Sequence, residues 1–219
     1  MRFRFKPGQK PYVKDQDPII QKTPDNWTTD GKTSSAAGFF SNLVLIVGAL
    51  IFALLINQYV FQSYEVDGNS MEPTLHNKDR LIIWKLPKTW SLLTNKAYQP
   101  SRGDIVVFHK PDGSNEQLIK RVMALPGERV LVKDGTITVY NSQNPGGIRP
   151  DEQPYGKNLA ITNGYVDVTV GPGEIFVVGD NRIPGASLDS RSALGNVPLD
   201  KVVGKLVLRL YPFNQMDTY

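Results

Sequence analysis

Ser70, in the stretch GNSMEPTL (68–75), is the residue whose surroundings look most like a place for chemistry. Gly68 and Pro73 frame it as a loop that holds one small hydroxyl in position. A serine hydroxyl is a weak nucleophile until a neighbouring group takes its proton. The candidates for that group are few. The chain has no cysteine and two histidines, His76 and His109. His76 lies in the polar run LHNKDR, and His109 ends an apolar stretch beside Lys110. Both are ordinary places for a solvated histidine. A Ser/His/Asp triad is recognised by geometry and not by spacing, so the sequence leaves it open.

Lys120, in QLIKRVMALPG, is the other possible base. Side chains alternate along a strand, which puts Lys120 on one face with Leu118 and Val122, and Ile119, Arg121 and Met123 on the other. An ammonium held among apolar neighbours loses hydration, and its pKa falls from about 10.4 towards a range where a neutral amine can accept a serine proton. The competing reading is that Lys120 and Arg121 extend into water at a sheet edge, where lysines commonly discourage pairing. On strand physics alone, the edge reading is the stronger.

Composition narrows the chemistry further. Without cysteine there are no disulfides, thiolate metal sites or thiol catalysis, and two histidines make a histidine-rich metal site improbable. No metal and no cofactor is expected. The net charge of +4 is uneven. Residues 1–32 hold seven Lys/Arg against four Asp, leaving +3 there and +1 in the rest. A basic arm can touch nucleic acid, but the long uncharged run beyond it points to a membrane, and no nucleic-acid partner is expected.

The elements that must position these residues begin with an anchor. No charged residue occurs between Lys32 and Glu65. The 23 residues Phe39–Phe61 are long enough to cross a hydrocarbon core, which takes about 20 in a helix. Tyr59 and Phe61 suit the interface. The run is too long, and too far from the N-terminus, for a cleaved leader. The basic arm before it places residues 1–35 in the cytoplasm, 36–62 in the membrane and 63–219 on the extracytoplasmic side.

Beyond the anchor the sequence breaks into short, β-branched segments at 80–86, 104–110, 117–125, 128–133, 136–140, 164–170, 174–179 and 201–211. Turn residues separate them. Asp134-Gly135 suits a two-residue hairpin, and Pro-Gly precedes strands at LPGE (125–128) and GPGE (171–174). No stretch there carries a sustained helical period, so crossover helices are not expected. The expectation is an all-β, mostly antiparallel domain preceded by one transmembrane α-helix. Residues 141–163, rich in Gly, Pro and Asn, read as a long exposed excursion. Residues 84–93, WKLPKTWSLL, fit either core or a rim resting on the bilayer.

Four segments in order, SMEPTL (70–75), RGDIVVF (102–108), KRVMALPGE (120–128) and GDNR (179–182) with SLDSR (187–191), resemble the motifs of bacterial type I signal peptidases. The one-span layout is similar to the Gram-positive enzymes. The resemblance implies a Ser–Lys dyad with Ser70 as nucleophile and Lys120 as general base. It implies that Ser187 hydrogen-bonds and orients the lysine, with Asp189 and Arg191 as a supporting ion pair. Asp180 and Arg182 fall in a motif that shapes the site without performing chemistry. In the family the nucleophile's own backbone N–H serves the oxyanion, and some members add a hydroxyl two residues earlier. Here that position is Gly68, so N–H groups of Ser70 and the Gly68 region, alone or with a water, must suffice. The link IPGA (183–186) before Ser187 is longer than the family pattern. Val66, Met71 and Ile119 are candidate pocket linings by resemblance, or ordinary core.

The implied activity is removal of N-terminal signal peptides from exported preproteins, after small residues of Ala-x-Ala type, through an acyl-enzyme. The partners are those preproteins and the lipid bilayer. Nothing in the sequence sets an oligomeric state. The alternative is a non-catalytic, membrane-anchored β-domain scaffold or accessory protein of the same fold. Such a protein should lack Ser70 or Lys120, and this chain keeps both. A self-cleaving regulator of the same class would need a DNA-binding domain where this chain has its apolar span.

Overall fold

Asp134 and Gly135 both take positive φ, 51° and 78°. They close a hairpin in which Lys133 faces Thr136, the geometry that an Asp-Gly turn favours. The computed structural model describes residues 35–94 and 98–219. The expected cytoplasmic tail lies outside the described residues, apart from Ser35. The chain divides into two compact units, Met1–Val47 and Gly48–Tyr219. The described part of the first is the beginning of helix α1 (Ser35–Tyr59). The second unit holds the rest of α1 and all the strands.

Helix α1 contains one span, Gly38–Tyr59, long and apolar enough to cross a membrane. It ends at Tyr59, and strand β1 (Phe61–Glu65) already pairs with β2 (Arg80–Trp84). Phe61 and Gln62, expected in the membrane segment, are therefore part of the sheet. The remaining strands are β3 (Ile105–His109), β4 (Gln117–Ala124), β5 (Arg129–Lys133), β6 (Thr136–Tyr140), β7 (Val166–Thr169), β8 (Glu174–Val178), β9 (Val197–Pro198), β10 (Val202–Tyr211) and β11 (Asp217–Thr218). A large sheet runs β1-β2-β10-β3-β4-β8-β9, with β11 on β10, and a small one runs β6-β5-β7. Every strand pair is antiparallel. The mostly antiparallel β domain is thus observed.

One short helix departs from the all-β expectation. Leu86–Thr94 forms α2. Nine residues are too few to show a helical period in a window of about 11–18, which is why the sequence hides it. Pro87 at its first turn, where an N–H has no intrahelical partner anyway, helps to start it. Residues 84–93 are therefore divided, with Trp84 in β2 and the rest mainly in α2.

Three apolar clusters hold the strands together. One packs the small sheet, through Val130, Val132, Ile137 and Val139, on Met123, Ala124, Phe176 and Val178. The second lies beneath the Ser70 turn, and the third on the opposite side of β3 and β4. Strand β3 alternates between these two, Ile105 and Val107 joining the second and Val106 and Phe108 the third. It is buried on both faces. The excursion 141–163 is less exposed than expected: Pro150, Gly156 and Thr162 are buried, and Tyr155 packs against Gly103.

Candidate active site

The Ser70 turn is built from β1 outward. The Val66 N–H donates to the Asp79 carbonyl and the Lys78 N–H to the Val66 carbonyl, each at 2.9 Å, so the loop folds back to begin β2 beside β1. Inside it the Glu72 N–H donates to the Asn69 carbonyl (3.1 Å) and the Leu75 N–H to the Met71 carbonyl (2.9 Å). Val66, Met71 and Leu75 plug into the second cluster, and Ile119 packs against it. The three residues expected to line a pocket thus meet in the cluster beneath Ser70, where Val66 and Met71 are buried and Ile119 is half-buried.

Lys120 does not sit at a solvent edge. Strand β4 is paired with β3 from Gln117 to Arg121, Lys120 facing Val106, and with β8 from Arg121 onward. Its side chain is 2% exposed. The Nζ donates to Ser70 Oγ at 2.7 Å and to the Ile119 carbonyl at 2.8 Å. Burial pushes the ammonium down to a pKa of about 8, against an opposing pull from Asp189, Asp180 and Glu116. Among the described residues Ser70 Oγ has no other hydrogen-bond partner. Neither histidine takes part: both are exposed, and the ring of His109 pairs with Gln117 at 3.3 Å.

The segment 179–191 closes the site from a third direction. The Asn181 N–H donates to the Ser70 carbonyl at 3.0 Å, and Asn181 Nδ2 donates to the Asn69 carbonyl at 3.0 Å. Gly179 allows that approach, since a Cβ there would run into the Ser70 carbonyl and the Ser187 hydroxyl. Asp180 joins three segments. It accepts from Arg121 Nη2 at 2.6 Å and Nε at 2.9 Å, and from Thr74 Oγ1 at 2.5 Å. Arg121 also donates to the Gly103 carbonyl, and its guanidinium lies 5.7 Å from the Tyr155 ring centre. Arg182 is buried, pairs with Asp151 at 2.8 Å, and bonds Thr162 Oγ1 and the Gly179 carbonyl.

Asp189 accepts from the Gly179 N–H at 3.0 Å and from Arg191 Nη2 at 2.8 Å. Burial alone would raise its carboxyl pKa, but the Arg191 hydrogen bond and charge, with hydrogen bonds from the Gly179 N–H and the Ser187 hydroxyl, outweigh it and hold the group below the usual carboxylate range. Ser187 differs from the expectation. Its hydroxyl is buried close enough to the Asp189 carboxyl to help hold that group low, and it makes no bond to Lys120. The longer IPGA link turns through an Ala186 N–H to Ile183 carbonyl bond, and Ser187 comes to rest against Gly179 instead.

Gly68 also gains a specific reason. Its φ of +102° is a backbone shape that L side chains rarely adopt, although a Cβ there would meet nothing within 4 Å. The turn, and not crowding, excludes a hydroxyl-bearing residue. Its N–H is taken by Asn77 Oδ1 at 3.1 Å, so the Gly68 N–H is not a free oxyanion donor. The Ser70 N–H has no acceptor among the described residues.

Sequence reasoning passed over Arg121, Thr74, Asp151, Gly179 and Asn181. Arg121 had a legible signal, a second cation beside Lys120 in a chain that carries Asp180 in GDNR. Asp151 had none, because its partner lies 31 residues away.

Residues 40–211 match the family described as signal peptidase, peptidase S26. Signal peptidase I of Bacillus licheniformis is 33% identical over 197 residues, covering 86% of this chain and 97% of that one. Signal peptidase I T of Bacillus subtilis (strain 168) is 35% identical, covering 78% of this chain and 84% of its own length. Signal peptidase I S of the same strain is also 35% identical, covering 78% and 88%. A solved signal peptidase I from Enterococcus faecalis V583 is 28% identical, covers 50% of this chain and 97% of its own, and has a TM-score of 0.39. The match runs through the Ser70 turn, β4 and residues 179–191, and over that extent it means that the chain belongs to the signal peptidase family, peptidase S26.

Proposed function

We propose that the chain is a membrane-bound serine endopeptidase that removes N-terminal signal peptides from exported preproteins through a Ser70/Lys120 dyad. The observation that carries this reading is the 2.7 Å approach of Lys120 Nζ to Ser70 Oγ, on a lysine that is only 2% exposed. A lysine whose pKa is near 8 is neutral in half of the molecules at that pH, without any histidine.

Ser70 Oγ attacks the scissile carbonyl as its proton passes to the lone pair of neutral Lys120. The resulting ammonium protonates the leaving amine as the C–N bond breaks, which leaves an acyl-enzyme on Ser70 Oγ. Lys120 then takes a proton from water, hydroxide attacks the ester, and Ser70 recovers its proton. The oxyanion is held by the unpaired Ser70 N–H; a single good donor of this kind contributes about 3 kcal/mol to the transition state. Asp189 and Arg191 hold the 187–191 turn in place, while Asp180 and Arg182 fix the walls.

The substrate enters as an added strand. Strand β8 pairs with β4 only from Arg121 onward, so residues 117–120 have an uncovered side that leads to Lys120. Only small residues at the cut and two positions before it suit the shallow surface beside Val66, Met71 and Ile119, which are buried or half-buried. The span within α1 anchors the enzyme, with the basic arm in the cytoplasm and residues 63–219 outside.

The test is cleavage of a precursor by Ser70→Ala and Lys120→Ala. Each variant should lose activity by at least about a thousandfold while staying folded, as removal of a member of a concerted unit does. Retained cleavage by either sinks the dyad.

A further inference from the structure

Asp67, Gly68 and Asn69 are exposed, so hydrogen bonds more than packing must orient the peptide planes that lead into Ser70. A peptide unit is planar and trans, and its C=O and N–H point in opposite directions. The Asn69 carbonyl and the Ser70 N–H are the two ends of one such unit. Whatever aims that carbonyl therefore aims the N–H that the oxyanion needs.

The carbonyl is held twice. The Glu72 N–H reaches it at 3.1 Å from within the turn, and Asn181 Nδ2 reaches it at 3.0 Å from outside. Asn181 also gives its backbone N–H to the Ser70 carbonyl at 3.0 Å. One residue thus grips the carbonyls on both sides of the Ser70 α-carbon. Its amide has one workable orientation. Oδ1 accepts the Ile183 N–H at 3.3 Å, and an amide turned over would set oxygen against the Asn69 carbonyl. Asn181 is 8% exposed, and its neighbours Asp180 and Arg182 are buried in ion pairs with Arg121 and Asp151. A donor on a carbonyl also polarises the N–H at the far end of the same peptide.

We propose that Asn181 is a positioning residue for the oxyanion donor: its side-chain amide aims and polarises the 69–70 peptide, so that the Ser70 N–H meets the charge growing on the scissile oxygen. The inference rests on the Ser70/Lys120 reading above. Gly68 offers no hydroxyl to share the task, so the aim of this one N–H matters more. The backbone N–H of residue 181 survives a substitution there, which leaves the grip on the Ser70 carbonyl and tests the amide alone.

The experiment assays the full chain carrying Asn181→Ala on a precursor peptide, over a pH range that spans the Lys120 ionisation. Its kcat should fall about tenfold to a hundredfold, less than outright loss of an oxyanion donor costs, with KM within about twofold of the unaltered chain. The inflection at about pH 8 should stay in place, whereas a change that merely loosens the buried dyad moves it. A peptide aldehyde ending in alanine forms a hemiacetal with Ser70 Oγ and sets its oxygen where the oxyanion forms. It should bind more weakly by the same factor as kcat, while the cleaved signal peptide binds unchanged. Undiminished kcat, a rise in KM alone, or a moved inflection overturns the proposal. If Asn181→Ala does not fold, Asn181→Asp is read on the plateau above the inflection. That variant keeps an acceptor for the Ile183 N–H and replaces only the donor, and an unaltered rate there is equally fatal. Cleavage by Ser70→Ala or Lys120→Ala removes the dyad and this inference with it. Inactive dyad variants beside a fully active Asn181→Ala remove this inference alone.

Discussion

At the scale of single residues, burial of Lys120 costs the fold stability. Its pKa of about 8 in the folded protein lies below the 10.5 of an ordinary lysine, so the native state holds this proton more weakly than the unfolded chain. The cost is full below pH 8 and fades as pH rises from 8 to 10.5. At 1.36 kcal/mol per unit it amounts to about 3 kcal/mol. Lys120→Met should therefore be inactive yet more stable at pH 7, by up to about 3 kcal/mol in urea denaturation, with the gain shrinking towards pH 10. A variant that is less stable at pH 7 contradicts the assignment. The same shift sets the pH profile. The rate constant kcat/KM should rise about tenfold per unit below pH 8 and level off above it, as a single ionisation requires. A profile that turns near pH 6.5 would return the role to His76 or His109. Residue types and motif order made Ser70, Lys120, Asp189 and Arg191 legible. Strand alternation could not make Lys120 buried, because it says nothing about which strands flank β4.

At the scale of elements, the site depends on a segment that the sequence presents as a polar loop. Asp151 reaches from the 141–163 excursion to Arg182, whose side chain has no exposed surface. Arg182 holds the Gly179 carbonyl, and Asn181 between them holds the Ser70 turn. Loss of one partner leaves a buried charge unpaired, which costs about 3–5 kcal/mol. Asp151→Ala should lose about 3 kcal/mol in urea denaturation, and kcat should fall more than KM rises, because the turn and not the substrate groove is loosened. An unchanged denaturation midpoint would show that the excursion is not a brace. Composition foretold the loop character of 141–163, which is mostly irregular. It could not foretell the docking, since that depends on a single carboxylate and a partner distant in sequence. Helix α2 was hidden for a different reason, its brevity.

At the scale of the whole molecule, the two ends of the β domain meet behind the Ser70 turn. Arg209 on β10 donates to the Thr74 carbonyl at 2.9 Å and to the Gln215 carbonyl at 2.8 Å, and lies 3.5 Å from buried Asp79. Arg209→Met should lower stability by about 3 kcal/mol through the stranded Asp79 and slow cleavage by loosening the Ser70 turn from behind. Equal stability and rate would show that the C-terminal strand is only a cover. The apolar span, the positions of β2 to β8 and of β10, and the antiparallel class were readable from charge gaps, branched residues and turn dipeptides, whereas β1, β9 and β11 were not. The strand order was not, because β10 inserts between β2 and β3 and local patterns carry no record of such long-range pairing. The uncovered side of β4, where β8 stops short at Arg121, has one more consequence. A peptide laid there as a strand is measured by a ruler with a two-residue division, since alternate side chains face the same wall. Selection at two positions flanking an indifferent one then requires no second recognition device, because the pleat of the peptide itself does the counting.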